Sequence, residues 1–219
     1  MEIKSIGPLD LRQILDFAGR KIIAQEAYLN RLDAALGDGD HGITMRVGFQ
    51  AIAHALSELD TAAGLDVTFR TAGMSFMGAT GGAIGVIFGK MLMSCAGPLH
   101  GIKRFGTKEF KVLLSEMELA VSDAGKAKVG DKTILDALHA ATLAMLGPCE
   151  NDMELVSAVS KAAQAAETAA QDTAGMVCRV GRASHLGARA LGHPDPGAVS
   201  LGIILKAMAD WLTDSAATV

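Results

Sequence analysis

Aromatic side chains are scarce in this sequence: they make up 4% of it, with one tryptophan and one tyrosine. Its apolar content, 50% of the residues, comes chiefly from alanine, leucine and methionine, with 25 glycines beside them. Small side chains let helices approach closely, and unbranched ones lose little rotamer freedom in a helix. Helices packed on helices are therefore expected. Cysteine is equally thin. Cys95, Cys149 and Cys178 are far apart and odd in number, which excludes a disulfide framework and a Cys-x-x-Cys metal pair. They read as reduced thiols of a cytoplasmic protein. Positive charge is short too: the net charge is −4 and no basic run occurs, so nucleic acid is not an expected partner. Long hydrophobic runs are missing. The most apolar segment, Gly85 to Gly97, is too short for a bilayer and is interrupted by Lys90. The opening Met-Glu-Ile-Lys-Ser-Ile-Gly-Pro has no apolar stretch of the signal-peptide kind. A soluble, cytoplasmic chain with no membrane partner is expected. No stretch joins strand-like alternation to turn signals on both sides, and no internal repeat or linker divides the 219 residues, so 1–219 reads as one domain.

Helical periodicity is what the sequence does contain. Asp10 and Gln13 read as a capping-box variant before Leu11, Ile14, Leu15, Ala18 and Ile22. Met45, Phe49, Ile52 and Leu56 mark a second helix, and a third is expected from Asp66. A fourth is expected from Gly85, a fifth capped by Thr107, and a sixth from near Asp131 to Gly147-Pro148. Asn151 and Glu154 suggest another capping box, and Asp195-Pro196 starts the last helix. The expectation is an all-α, eight-helix antiparallel up-and-down bundle, because short connections set successive helices side by side.

The glycines cluster in loops, where they permit close approach of a ligand to the backbone as well as helix termination. The first loop reads Asp33-Ala34-Ala35-Leu36-Gly37-Asp38-Gly39-Asp40-His41-Gly42. Three carboxylates this close repel one another unless cations sit between them, and oxygen-only ligands suit Mg²⁺ completed by phosphate. Gly37-x-Gly39-x-x-Gly42 matches a dinucleotide fingerprint only literally, since a helix precedes it. Asp38-x-Asp40 is no calcium loop, because Ile43 and Phe49 stand where glycine and glutamate are needed. In the second loop, Gly81 and Gly82 precede an apolar helix, whose free N–H groups would bind an anion; a close helix crossing is the competing explanation. The third, Gly125 to Thr133, misses a Walker A loop by one residue and is kept as a nucleotide contact or lid, with Lys126 and Lys128 expected in solvent. The fourth, Gly175 to Gly197, is long for a compact bundle and carries Arg179, Arg182 and Arg189 against the single acid Asp195. Guanidinium groups suit developing phosphoryl charge.

These four blocks, closing with Gly130-Asp131-Lys132-Thr133, Gly181-Arg182-Ala183-Ser184 and Gly192-His193-Pro194-Asp195-Pro196-Gly197-Ala198, resemble the nucleotide-binding L subunit of dihydroxyacetone kinases. The resemblance runs from about Gln25 to Leu205. It implies a helical barrel with ADP or ATP at one end on two Mg²⁺ ions, ligated by Asp33, Asp38 and Asp40. His41, Gly42, Ile43, Thr44, Ala83, Ile84, Gly125, Ile134, Arg182, Asp195, Pro196 and Gly197 would surround the nucleotide, with Gly81, Gly82 and Thr133 from the loops read above. Arg182 is the expected catalytic residue. Family members often carry asparagine at Thr44, serines at Gly78 and Ala79, and serine at Ile84, so here backbone amides would take over phosphate contacts. The resemblance also implies a separate sugar-binding K subunit. In one family mode ATP exchanges as substrate; in the other, ADP stays bound and is recharged by a phosphohistidine protein of the sugar phosphotransferase system. The ketose is dihydroxyacetone or a tetrulose. Two rivals are a nucleotide-sensing regulator without catalysis and a helical di-metal carboxylate oxidase built on Asp136-x-x-His139.

Overall fold

The computed structural model describes residues 4–147 and 153–217. Nine α-helices lie among them: α1 Pro8–Ala24, α2 Glu26–Ala34, α3 His41–Glu58, α4 Leu65–Ala79, α5 Gly82–Ser94, α6 Thr107–Gly125, α7 Ile134–Leu143, α8 Leu155–Asp172 and α9 Pro196–Ala217. Two 3₁₀ segments, Thr173–Gly175 and Arg182–Ala190, fall between α8 and α9. Among the described residues there is no strand, only an isolated antiparallel bridge between Ile6 and Phe105. None of the described helices is long and apolar enough to cross a membrane.

Eight of the helices close a ring in the order α1, α3, α4, α5, α6, α7, α8, α9 and back to α1, while α2 lies across α3 and α9. The helix missing from the eight expected is α2. A helix was expected before the carboxylate loop, but not the break at Gln25 that sets α2 off from α1; Leu29 is its only buried residue, with Tyr28 and Leu32 half-buried against the core. Ring neighbours joined by short links must run in opposite directions. Thr80-Gly81 reaches at most ~7 Å, whereas the 15 residues of α4 span ~22 Å. Alternate connections therefore share an end. Residues 35–40, 80–81, 126–133 and 173–195, which hold all four glycine-rich blocks, gather at one end of the ring.

Several helix starts fall elsewhere than expected, for one recurring reason. Asp10 is not the cap of α1 but its third residue: Gly7 precedes the helix, and Asp10 Oδ2 accepts the Gly7 N–H at 2.8 Å. Likewise Gly106 precedes α6, and Glu109 Oε2 accepts its N–H at 2.8 Å. In both, the carboxylate reaches back to an orphan donor while glycine holds the cap position. α5 starts at Gly82 rather than Gly85, and α7 at Ile134, with Thr133 Oγ1 accepting from Leu135 N at 3.2 Å. α7 ends at Leu143, before Gly147; Pro148 and Asn151 lie outside the described residues. The start of α9 at Pro196 is as expected, and Asp195 Oδ1 accepts the Ala198 N–H at 2.7 Å.

Three of the few aromatics pack together where α3, α4 and α5 meet. Phe76 on α4 is fully buried, edge-on to Phe49 of α3 at 5.9 Å and stacked on Phe88 of α5 at 5.6 Å. Truncating such a side chain costs about 3–5 kcal/mol, so this trio fixes the relative placement of three helices that carry site loops.

Candidate functional site

The first loop is shaped by its own first carboxylate. Asp33, near the end of α2, accepts at Oδ2 from the N–H groups of Gly39 at 2.9 Å, Asp40 at 3.0 Å and His41 at 3.3 Å. One side chain thus closes the turn and caps the start of α3. Gly39 sits at φ +79°, and a Cβ on Gly37 would stand 2.7 Å from Asp33 Oδ1. The turn leaves carboxylate oxygens of Asp33, Asp38 and Asp40 within 4.8 Å of one another, with Asp38 and Asp40 exposed. Hard oxygen donors, grouped and open on one side, fit Mg²⁺, which keeps waters and takes phosphate oxygens. Among the described residues this is the only group of three or more potential metal-ligating side chains.

α3 begins against α2 more closely than any side chain at position 42 would permit: a Cβ on Gly42 would lie 2.2 Å from the Glu26 carbonyl oxygen. Ile43 N donates to Asn30 Oδ1 at 3.2 Å, while the Ile43 side chain is exposed and Thr44 is half-buried. His41 points the other way. It is 2% exposed, lies 2.8 Å from Ser200 Oγ through Nε2, and is held neutral by burial, which lowers its pKa to about 4. Its side chain ties α3 to α9, so only its backbone faces the loop.

The structure divides the second block. A Cβ on Gly85 would meet the Thr80 carbonyl oxygen at 2.7 Å, so that glycine serves packing. Gly81 and Gly82 have open space where a Cβ would stand, and Gly82 adopts φ +71°. With Ala83 they expose the first turn of α5, whose N–H groups have no carbonyl in their own helix. Ile84 is half-buried against the core.

Beyond Gly125, the third block is a turn organised by a residue the sequence reading gave to another role. Asp136 accepts the N–H of Gly130 at Oδ1 and that of Thr133 at Oδ2. Its companion His139 pairs with Glu118 at 2.7 Å, and among the described residues neither residue of the suspected oxidase motif falls in a group of three potential metal ligands. Lys126 pairs at the surface with Asp123, as a solvated lysine does. Lys132 was overlooked. It is 2% exposed at φ +64°, and Nζ donates to the carbonyls of Thr173 at 2.8 Å, Ala190 at 2.9 Å and His193 at 2.6 Å. Its place in the Gly-Asp-Lys-Thr block was the available signal, and no role of its own was read for it there.

The fourth block is folded rather than a plain loop. Gly192 N donates to Ala174 O at 2.8 Å, and Arg179 N to Asp131 O at 3.2 Å. Cys178 and Ala190 pack with Leu36, which joins this segment to the carboxylate loop. Arg179 and Arg189 are exposed; the side chain of Arg182 lies outside the described residues. A Cβ on Gly197 would lie 3.5 Å from Ile134 Cβ, so Ile134 and Asp195-Pro196-Gly197 meet. Burial pushes the Asp195 carboxyl up to about 7 against the stabilising Ala198 N–H, with the negative charges of Asp136 and Asp33 adding to the rise and Lys132 opposing it. The site is thus one end of a helical ring with a triple carboxylate, an exposed helix start and a folded arginine-bearing segment.

That arrangement has known relatives. The DAK2 domain pattern matches residues 35–210. The chain belongs to the DAK2 domain family. It is 33% identical over 187 residues to the PEP-dependent dihydroxyacetone kinase, ADP-binding subunit DhaL, of Escherichia coli, covering 84% of this chain and 88% of that protein. A DhaL subunit of Listeria innocua is 32% identical over 200 residues, covering 91% and 92%. The L-erythrulose kinase of Pectobacterium atrosepticum is 38% identical over 188 residues, but this chain spans only 32% of that protein. Among solved structures, the dihydroxyacetone kinase of C. freundii in complex with AMP-PNP and Mg²⁺ superposes with a TM-score of 0.69 at 26% identity, covering 95% of this chain and 35% of that one.

Proposed function

We propose that this DAK2 chain is the nucleotide-binding phosphotransferase subunit of a small-ketose kinase, acting as a single cytoplasmic unit with a separate sugar-binding subunit. The observation that carries the reading is the grouping of Asp33, Asp38 and Asp40 within 4.8 Å at the same end as the open first turn of α5. The names of the DhaL relatives, and the AMP-PNP and Mg²⁺ in the structural relative, support it.

In this reading the three aspartates hold two Mg²⁺ ions, which neutralise the phosphate oxygens of ADP or ATP and the charge that spreads over them during transfer. Asp33 serves twice, as ligand and as the group that shapes the loop. The amides of Gly81, Gly82 and Ala83 take phosphate oxygens at the positive end of α5. Ile43, Thr44, Ile84, Gly125, Thr133, Ile134 and the Asp195-Pro196-Gly197 corner line the nucleotide. Arg182 is the proposed catalytic residue, meeting charge that develops on the transferred group. The chain's contribution is positioning and charge neutralisation, and the acceptor is oriented by the partner.

Mass analysis of nucleotide released from denatured purified protein tests the reading. Retained ADP supports the mode in which a phosphohistidine protein recharges a bound cofactor, and nucleotide that exchanges freely supports ATP as substrate. Transfer to dihydroxyacetone or erythrulose only after a sugar-binding subunit is added separates a kinase subunit from a nucleotide-sensing regulator. Absence of nucleotide affinity with Mg²⁺ present would sink both.

A further inference from the structure

Lys132 poses a physical problem. Taking an ammonium group out of water costs several kcal/mol unless its hydrogens are satisfied. Here the side chain is buried and its three N–H donors meet three acceptors, all backbone carbonyls: Thr173, Ala190 and His193. Among the described residues no carboxylate bonds to it. Burial lowers its pKa, and the charges of Cys178 and Asp195 oppose that shift only in part. A methionine of similar length would fill the space without the desolvation cost, so packing alone does not explain a lysine there.

The three carbonyls define what the lysine does. They lie at the base of one excursion of the chain: Thr173 where it leaves α8, Ala190 and His193 where it returns to α9. Between them stand Arg179, Arg182 and Arg189, with Gly181 and Gly187 at φ +70° and +56°. Ala190, held through its carbonyl, packs on Leu36 between Asp33 and Asp38. Asp195, two residues beyond His193, caps α9 at the corner that meets Ile134.

We infer that Lys132 is a positioning residue for phosphoryl transfer: its ammonium pins the base of the 173–193 excursion and so sets the arginine-bearing segment against the carboxylate loop. The inference rests on the kinase reading for its consequence in turnover. The pin itself is independent of that reading. Nucleotide contacts made by the aspartates and by the start of α5 do not pass through Lys132, whereas the Asp195-Pro196-Gly197 corner follows the His193 carbonyl that it holds, so turnover should fall well beyond any loss of affinity when it is replaced.

The test is Lys132→Met in the full chain, followed by hydrogen exchange resolved by peptide and by transfer to ketose with the sugar-binding subunit and Mg²⁺–ATP. Expected are unchanged helical circular dichroism, faster exchange confined to residues 174–193, nucleotide affinity altered little, and turnover lowered on the order of 10- to 100-fold. Lys132→Arg keeps the charge but cannot direct three donors from one nitrogen, and should recover part of both the protection and the turnover. Wild-type exchange in 174–193, or wild-type turnover, in Lys132→Met would overturn the inference. So would an equal rise in exchange over every helix, which marks a merely structural lysine. If Lys132→Met does not fold, Lys132→Arg decides: full protection and full turnover there overturn the specific three-carbonyl pin. If the wild-type mixture transfers nothing to any ketose, the kinase reading fails while the exchange comparison still judges the pin.

Discussion

The carboxylate loop, 35–40, and the arginine-bearing segment, 173–195, meet at the same end of the ring and are organised by opposite means. The first is built from within. Asp33 binds amides six to eight residues onward, so sequence neighbours determine its shape. The second is built from outside. Its ends are gathered by Lys132, 41 to 61 residues earlier in the chain. A loop that folds itself can present ligand atoms at fixed positions whatever its surroundings do. A segment gathered at its base by a distant lysine, and held further in by the Arg179 N–H on the Asp131 carbonyl and by Cys178 on Leu36, takes its position from the rest of the fold.

The comparison breaks most sharply at the exposed ligands of the first loop. Asp38→Asn and Asp40→Asn should each abolish retention of Mg²⁺–nucleotide while leaving helical circular dichroism unchanged, because both lie in a loop and Asp33 accepts the three amides that close the turn. Asp33→Ala should lose both retention and the protection of the 39–41 amides. Normal binding by either Asn variant would strike that residue from the ligand set.

Arg182→Ala probes the second region. Turnover should fall about a hundredfold or more if the guanidinium meets transition-state charge, with a much smaller change in nucleotide affinity. Arg182→Lys should restore only part of it, since a point charge lacks the planar fork. Loss of affinity in proportion to turnover would make Arg182 a ground-state binder.

The same contrast explains what the sequence made legible. The helices of the ring follow from apolar periodicity, while the break at Gln25 that sets α2 off from α1 left no mark in it. Asp33, Asp38 and Asp40 stand out because their spacing is local and their charge density unusual. Ile134 and Gly197 are 63 positions apart and meet only in the fold, and only the family resemblance set both at the nucleotide. Lys132 escaped altogether. It was read only as part of the Gly-Asp-Lys-Thr block, and nothing local announces that three distant carbonyls converge on it.

A smaller effect tests whether the first loop needs its ligands for stability. Mg²⁺ and ADP together should raise the melting temperature well above the sum of their separate effects. Ligand at a hundred times its Kd adds about 2.7 kcal/mol, which for a chain of this size is roughly 5–10 °C. Thermal melts with Mg²⁺, ADP, both, and ADP in EDTA decide it. Equal stabilisation by ADP in EDTA would remove the metal bridge from the site.

The smallest expected effect joins the two regions through charge. Asp195 closes the second region, and its carboxyl is raised from 3.8 to about 7 by burial first, with Asp136 and then Asp33 of the first loop contributing. In ligand-free protein between those pH values the folded state keeps a proton that the unfolded state has released. Stability must then fall as pH rises across that window, by at most about 1.4 kcal/mol per pH unit. Partial solvent access to the residue reduces this further. His41 works against it: buried and neutral, with its pKa lowered from 6.5 to about 4, it contributes stability that is lost as pH falls through the same range. The raw slope of the wild type therefore mixes two opposite signs, and the difference between wild type and Asp195→Asn is the informative quantity. Asparagine caps a helix as well as aspartate does, so α9 should start unchanged. Melting temperatures measured in EDTA from pH 4.5 to 7.5 should show the variant gaining on the wild type by a few degrees as pH rises. Parallel curves would mean that the Asp195 carboxyl ionises in the folded chain as easily as in the unfolded one, and that the charge of the carboxylate loop does not reach it.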